Sequence, residues 1–150
     1  MEIFIDADGC PVKEEVYRVA GRHKLKVWVV ANKRMNIPHQ LNIEMRVVSG
    51  DPDAADDWIA AHIKESDLCV TADIPLADRC LRAGALALDP RGNEWTEDNI
   101  GDALASREVM KMLREMGEVR GGPAPMRDRD RSNFLSALEA LIQKQRRRAL

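Results

Sequence analysis

The stretch Val70-Thr71-Ala72-Asp73-Ile74-Pro75-Leu76-Ala77-Asp78 decides how this chain is expected to fold. The apolar run 68–70 predicts a buried strand, and Pro75 suits the first turn of a helix, where its missing N–H costs nothing. Apolar residues then recur at helical spacing. We therefore predict a strand, a tight turn and a helix, with Thr71 and Asp73 in the turn. In open α/β sheets, ligands bind at such turns.

More strands and helices are predicted on either side of this stretch. Four further apolar runs predict strands over 3–5, 27–31, 45–48 and 85–88. Helical patterns cover 12–23, 52–63, 75–83, 97–116 and a last segment that begins near Ser132. Asp51 is expected to cap the second of these helices, and Thr96 the fourth. The alternation predicts an α/β fold in three layers, with a mainly parallel sheet of about five strands between helices.

Length and charge predict one domain with a basic end. The chain has 150 residues, 45% of them apolar, and a formal net charge of −2. Residues 1–105 hold 19 acids against 12 bases, whereas residues 106–150 hold 11 bases against 6 acids. We expect residues 118–150 to form a basic C-terminal loop and helix packed on the domain. Such a chain could bind a cation in one place and a polyanion in another, although solvated helix faces explain the basic end equally well.

Cysteine usage and hydropathy bear on the compartment. Cys10, Cys69 and Cys80 are an odd number and lack the spacing of a zinc site, so a reducing environment is expected. The N-terminus shows no signal-peptide pattern, and no apolar run is long enough to span a bilayer. We therefore expect a cytoplasmic protein without membrane contact.

Four aspartates are expected to meet at one edge of the predicted sheet. Asp6 and Asp8 leave the end of the first strand, and Asp73 leaves the end of the fourth. Asp56 shares an inward helix face with Ile59, whereas its neighbour Asp57 points away. Four converging carboxylates need a counter-charge, and Mg²⁺ or Mn²⁺ prefers oxygen ligands. Each acid also has a simpler explanation, because Asp is common in turns and is stabilised near helix N-termini.

Other side chains are candidates for substrate contact. The Thr71 hydroxyl could hold Asp73 or a ligand oxygen, and Arg91 and Arg131 could hold a substrate phosphate. Of Arg127, Arg129 and Arg131, Arg131 is the best placed to reach an anion, because it is next to the predicted start of the final helix. The few aromatic residues lie mostly at predicted core positions, which argues against a base-stacking surface.

Several short blocks carry a resemblance to a known family. They are Asp6-Ala7-Asp8-Gly9-Cys10-Pro11, Val30-Ala31-Asn32, Ala55-Asp56, DLCVTADIPLA at 67–77, Asp89-Pro90-Arg91-Gly92, Gly121-Gly122-Pro123 and Asp130-Arg131. Together they resemble the YaiI/YqxD family of uncharacterised bacterial proteins over nearly the whole chain. The resemblance implies a single PIN-like domain over residues 1–150, related to the PIN and NYN nuclease folds.

In those folds, acids after the first strand, on a central helix and after the fourth strand hold Mg²⁺ or Mn²⁺ for phosphodiester cleavage. The resemblance implies that the matching ligands here are Asp6, Asp56 and Asp73. A fourth acid of the fold has no secure counterpart, since Asp89 lies in a proline turn.

Three functions follow from these residues. The leading hypothesis is a Mg²⁺- or Mn²⁺-dependent hydrolase of RNA or another phosphodiester, with Asp6, Asp56 and Asp73 as metal ligands. Asp8 would be an outer ligand or a ligand of a second metal ion, and could orient the attacking water. The alternative is a catalytically inactive PIN-like domain that binds RNA or a protein partner. A phosphatase of the haloacid-dehalogenase type, with Asp6 as nucleophile, fits less well, because the acid-rich segment precedes Thr71 in the chain.

Overall fold

The computed structural model describes residues 1–39, 42–122 and 124–149, so Pro123 of the resemblance blocks lies outside the described residues. Within them the chain forms six strands and five helices. The strands are β1 (Glu2–Asp6), β2 (Lys26–Ala31), β3 (Ile43–Val47), β4 (Leu68–Val70), β5 (Leu86–Leu88) and β6 (Glu94–Trp95). The helices are α1 (Lys13–His23), α2 (Ala54–His62), α3 (Ile74–Arg82), α4 (Glu97–Glu115) and α5 (Asp128–Arg148).

The strands form one sheet in the order β3-β2-β1-β4-β5-β6. The first five strands in that order pair in parallel, and β6 pairs with β5 in antiparallel orientation. The predicted α/β class and mainly parallel sheet are confirmed, with six strands in place of about five. Because parallel strands run the same way, the carboxyl ends of β1, β2, β4 and β5 meet at one edge.

Helices cover both faces of the sheet, as predicted. On one face, Val16 of α1 and Phe134 of α5 are fully buried with Ile5 of β1 in one apolar cluster. On the other face, Ile59 of α2 packs with Phe4 of β1. Alternate residues of β1 thus face opposite layers, which is the side-chain period of a strand.

Two helices begin elsewhere than predicted. Asp53, not Asp51, precedes the first residue of α2, because the Ala54 N–H donates to the Asp51 carbonyl at 3.1 Å and closes a turn before the helix. Helix α5 begins at Asp128 instead of near Ser132. Its start is set by the Asp130 carboxylate, which accepts a hydrogen bond from the backbone N–H preceding the helix. In the described part of the chain, no helix is long and apolar enough to cross a membrane.

Candidate active site

Three aspartates meet at the carboxyl edge of the sheet. Asp6 ends β1, and Asp73 follows β4, the neighbouring strand, while Asp56 lies in the first turn of α2. Burial raises the pKa of Asp6, a hydrogen bond from Thr71 lowers it, and the charges of Asp73 and Asp8 raise it again. The convergence expected from the sequence is therefore present.

Thr71 joins two of these acids. It is fully buried, and its hydroxyl donates to Asp6 Oδ2 at 2.8 Å while accepting from the Asp73 N–H at 2.9 Å. Asp73 in turn caps α3, since its Oδ1 accepts from the Leu76 N–H at 3.0 Å. The turn after β4 is thereby fixed to the end of β1. The predicted contact of Thr71 with Asp73 is confirmed, and its contact with substrate stays a prediction.

Asp56 has the most perturbed carboxyl group of the cluster. Burial is the largest cause, followed by the charges of Asp73 and Asp6, and together with a hydrogen bond to Asp73 they raise its pKa from 3.8 to about 7. Asp57 is exposed and pairs with Arg79 at 2.9 Å. The prediction that Asp56, and not Asp57, faces inward is confirmed.

No basic side chain of the described residues forms an ion pair with Asp6, Asp56 or Asp73. The nearby Lys13 ammonium donates instead to the Cys10 carbonyl at 2.8 Å. Such uncompensated carboxylates fit a hard divalent cation as donors. Their present arrangement does not form a complete ligand set, because no three Asp, Glu, His or Cys side chains within the described ranges are placed to hold a metal ion together.

A cavity of about 260 Å³ opens beside the cluster. It is lined by Asp6, Asp8, Gly9, Cys10, Thr71, Ala72, Asp73 and Pro90. Asp8 is exposed, and its Oδ2 accepts from the Asn32 N–H at 2.8 Å. Burial raises the pKa of the Cys10 thiol, which suits a packed residue better than a nucleophile.

Asn32 is a residue that the sequence-based site did not include. It follows β2, so it stands at the same edge as the acids, and its backbone fixes Asp8. Its side-chain oxygen is buried without a hydrogen-bond partner among the described residues. The signal in the sequence is its position directly after a long apolar strand, the same position that singled out the aspartates.

The model of the uncharacterised YaiI/YqxD family matches residues 4–144. The chain belongs to the YaiI/YqxD family. Among its relatives, a UPF0178 protein of Rhodospirillum rubrum is 55% identical over 144 residues, which cover 95% of this chain and 96% of that protein. A UPF0178 protein of Paramagnetospirillum magneticum is 51% identical over 146 residues, 97% of each chain. One of Caulobacter vibrioides is 52% identical over 147 residues, 98% of this chain and 96% of the relative.

No solved structure matches this member of the YaiI/YqxD family. The family membership expected from the sequence blocks is confirmed. The PIN-like label stays a prediction, because no structural neighbour tests it.

Two arginines of the YaiI/YqxD blocks are engaged by protein groups. Arg91 Nη1 donates to Asp130 Oδ2 at 2.8 Å. Arg131 Nη1 donates to the Pro11 carbonyl at 2.6 Å and lies 3.3 Å from a Glu15 carboxylate oxygen. Both contacts hold the start of α5 against loops at the carboxyl edge. The phosphate contact predicted for these arginines is not tested and stays a prediction.

The turn at 89–92 explains another of the family blocks. Gly92 has φ +94°, and a Cβ there would lie 2.8 Å from the backbone of Asn133 in α5. Asp89 Oδ1 accepts from the backbone N–H groups of Arg91 and Asn93, each at 2.9 Å. Asp89 therefore stabilises this turn, and helix α5 packs directly against it.

Proposed function

We propose that the protein is a phosphodiester hydrolase that acts on RNA and depends on Mg²⁺ or Mn²⁺ held by Asp6, Asp56 and Asp73. The observation that supports this most is the repulsion of the Asp56 carboxylate by the charges of Asp73 and Asp6. The pKa of Asp56 is raised to about 7, and no described basic side chain pairs with the cluster. A fold keeps such a cluster at a cost in stability, and a bound dication would remove that cost.

The roles of the side chains follow from their positions. When bound, the ion would lower the pKa of a water molecule and offset charge on phosphoryl oxygens. Asp8 is exposed at the cavity, and among the described residues its hydrogen bond from Asn32 uses Oδ2, so Oδ1 can orient a water molecule and accept its proton. Thr71 acts through the acids, because its hydroxyl fixes Asp6 relative to the turn that carries Asp73. The open cavity admits a chain phosphate from solvent.

Cleavage assays with a matched pair of variants test this proposal. Purified protein is incubated with Mn²⁺ or Mg²⁺ and single-stranded or duplex RNA and DNA. Asp73→Asn should abolish cleavage yet keep the fold, because Asn caps a helix as well as Asp does. Asp78→Asn is the control, since Asp78 lies on the same helix and pairs with Arg82 at 3.1 Å away from the cluster. Equal cleavage by wild type and Asp73→Asn, or no metal-dependent cleavage at all, contradicts the proposal.

One observation favours a second function, a catalytically inactive domain that binds RNA. The acids of the described residues do not form a three-ligand set as they stand. In that case RNA binding weakens steeply with salt and is the same with Mg²⁺ and with EDTA. Stability measured against Mn²⁺ separates the two functions, because only the hydrolase requires the ion to bind the acids.

A further inference from the structure

Strand β3 is the last strand at one edge of the sheet, and its outer side is open. The parallel ladder with β2 uses the backbone N–H and C=O groups of Glu44 and Arg46, and it ends where the Val48 N–H donates to a β2 carbonyl at 2.9 Å. The alternate residues of β3 point their backbone groups away from the sheet. They are Ile43, Met45 and Val47. Within the described ranges these outward groups make no hydrogen bond.

This edge lacks the features that keep most edge strands from pairing with another chain. Strand β3 has five residues in continuous register with β2, without proline, glycine or a bulge, whereas β6 at the opposite edge has two residues. Val47 is apolar, yet 43% exposed. The side chains of Glu44 and Arg46 have opposite charges, lie 3.8 Å apart and are both nearly half exposed. Their charges therefore do not exclude a second strand of the same sequence.

The sequence of β3 is complementary to itself when a second copy runs in the opposite direction. If Met45 lies opposite Met45 of the second copy, Ile43 lies opposite Val47 and Glu44 lies opposite Arg46, each of them twice. The outward backbone groups then meet, and each apolar pair can exchange both of its N–H···O=C hydrogen bonds. Glutamate and arginine occupy the pairs between them, where Cα atoms are about 4.5 Å apart and side chains are closest.

Only this register satisfies both the backbone and the charges. A shift of one residue sets the outward backbone groups opposite residues whose own groups bond to β2, and it moves apolar side chains to the charged face. A shift of two residues keeps the hydrogen bonds but sets Glu44 opposite Glu44, or Arg46 opposite Arg46. The strand thus specifies its own alignment.

We propose that β3 is an interface for a second copy of this chain, with the two β3 strands paired antiparallel about a two-fold axis at Met45. Every contact then occurs twice, so the assembly closes as a dimer with one continuous sheet. Five-residue edges bury less than a standard interface of about 800 Å² on each partner, so we expect a dissociation constant on the order of micromolar. The strands of the two copies run in opposite directions, which sets their acid clusters at opposite edges of the combined sheet. The proposal does not depend on the hydrolase function.

Sedimentation velocity of the full chain, from about 1 to 100 µM, measures the dimer. Wild type should be dimeric at the upper end of this range. Glu44→Arg and Arg46→Glu each set like charges opposite each other twice, so each should weaken the dimer at least about tenfold. Glu108→Arg and Arg107→Glu are the controls, because they make the same charge changes on exposed α4, and they should leave the dimer unchanged.

Mixing the two β3 variants tests the alignment itself. In an equimolar mixture of Glu44→Arg and Arg46→Glu, every arginine of one strand faces a glutamate of the other, so a heterodimer should form with about the wild-type affinity. Its formation also shows that both variants are folded. In wild type, the amide hydrogens of 43, 45 and 47 should exchange at least about tenfold more slowly at 100 µM than at 1 µM, because dimerisation gives them acceptors.

Three results overturn the proposal. Wild type that stays monomeric over the whole range shows that the edge does not pair. Single variants that associate as tightly as wild type place any dimer on another surface, such as the exposed apolar side chains of Val109 and Met112 on α4. A mixture that stays monomeric excludes the antiparallel alignment about Met45.

Discussion

Replacing Asp56 by Asn should stabilise the protein at alkaline pH and leave it nearly unchanged in acid. The folded pKa of Asp56 is about 7, against 3.8 ordinarily, so between these values the folded state keeps a proton that the unfolded state has lost. The stability that this proton provides is complete below about pH 4 and is lost as the pH rises through 7. The full difference corresponds to at most about 4 kcal/mol. Because Asp56 is partly exposed, screening reduces this to about 1–2 kcal/mol.

Denaturant unfolding at pH 4, 6 and 8 measures the effect. We expect the free energy of unfolding of Asp56→Asn to exceed that of wild type by about 1–2 kcal/mol at pH 8 and by much less at pH 4. Asp57→Asn is the control on the same helix, where an exposed pair with Arg79 should be worth less than about 1 kcal/mol at any pH. Added Mn²⁺ should stabilise wild type at pH 8 and Asp56→Asn less.

The reasoning is refuted if Asp56→Asn lowers stability at pH 8, or if its effect is the same at pH 4. Either result would mean that the Asp56 carboxylate is not repelled by Asp73 and Asp6 in the folded state. A stabilised Asp56→Asn that responds to Mn²⁺ as wild type does would leave the repulsion standing and remove Asp56 from the proposed ligands.

Three further changes test how the edge is built, each by denaturant unfolding. Thr71→Val should cost about 1–3 kcal/mol, because it leaves the Asp6 carboxylate and the partly buried Asp73 N–H without the hydroxyl. Thr71→Ser should keep most of the stability. Gly92→Ala should cost at least about 2 kcal/mol, because Gly92 has a positive φ and lies against the backbone of α5. Gly50→Ala is the control and should cost less than about 0.5 kcal/mol, because a Cβ at Gly50 would meet no other atom. Arg91→Met should cost about 1 kcal/mol by breaking its ion pair with α5. If any of these variants has the same free energy of unfolding as wild type, the corresponding contact does not stabilise the fold.

The sheet could be predicted because its inner strands are apolar throughout, as strands covered on both faces are. Strand β6 could not be predicted, because Glu94 and Trp95 form no apolar run and join the sheet by pairing with β5. The start of α5 was placed too late for a different reason. Its first turn is made by Asp130, and a run of alternating charges gives no sign of which acid closes the turn.

The convergence of the acids could be predicted because the carboxyl ends of parallel strands lie at one edge of the sheet, and this depends on the backbone topology and not on side-chain conformation. The partners of Arg91 and Arg131 could not, since they lie 39 and 116 residues away in the chain.

The structure distributes charge unequally within the acid cluster. Asp73 accepts a backbone N–H and lies at the N-terminus of α3, where the helix dipole favours a negative group. Asp6 accepts the Thr71 hydroxyl. Burial, the charges of Asp73, Asp6 and Asp53 and a hydrogen bond with Asp73 all raise the pKa of Asp56, to about 7, so Asp56 is the member that takes up a proton near neutral pH. Because a cation and a proton would compete for the same carboxylate, any dication bound here must be held more weakly as the pH falls below 7.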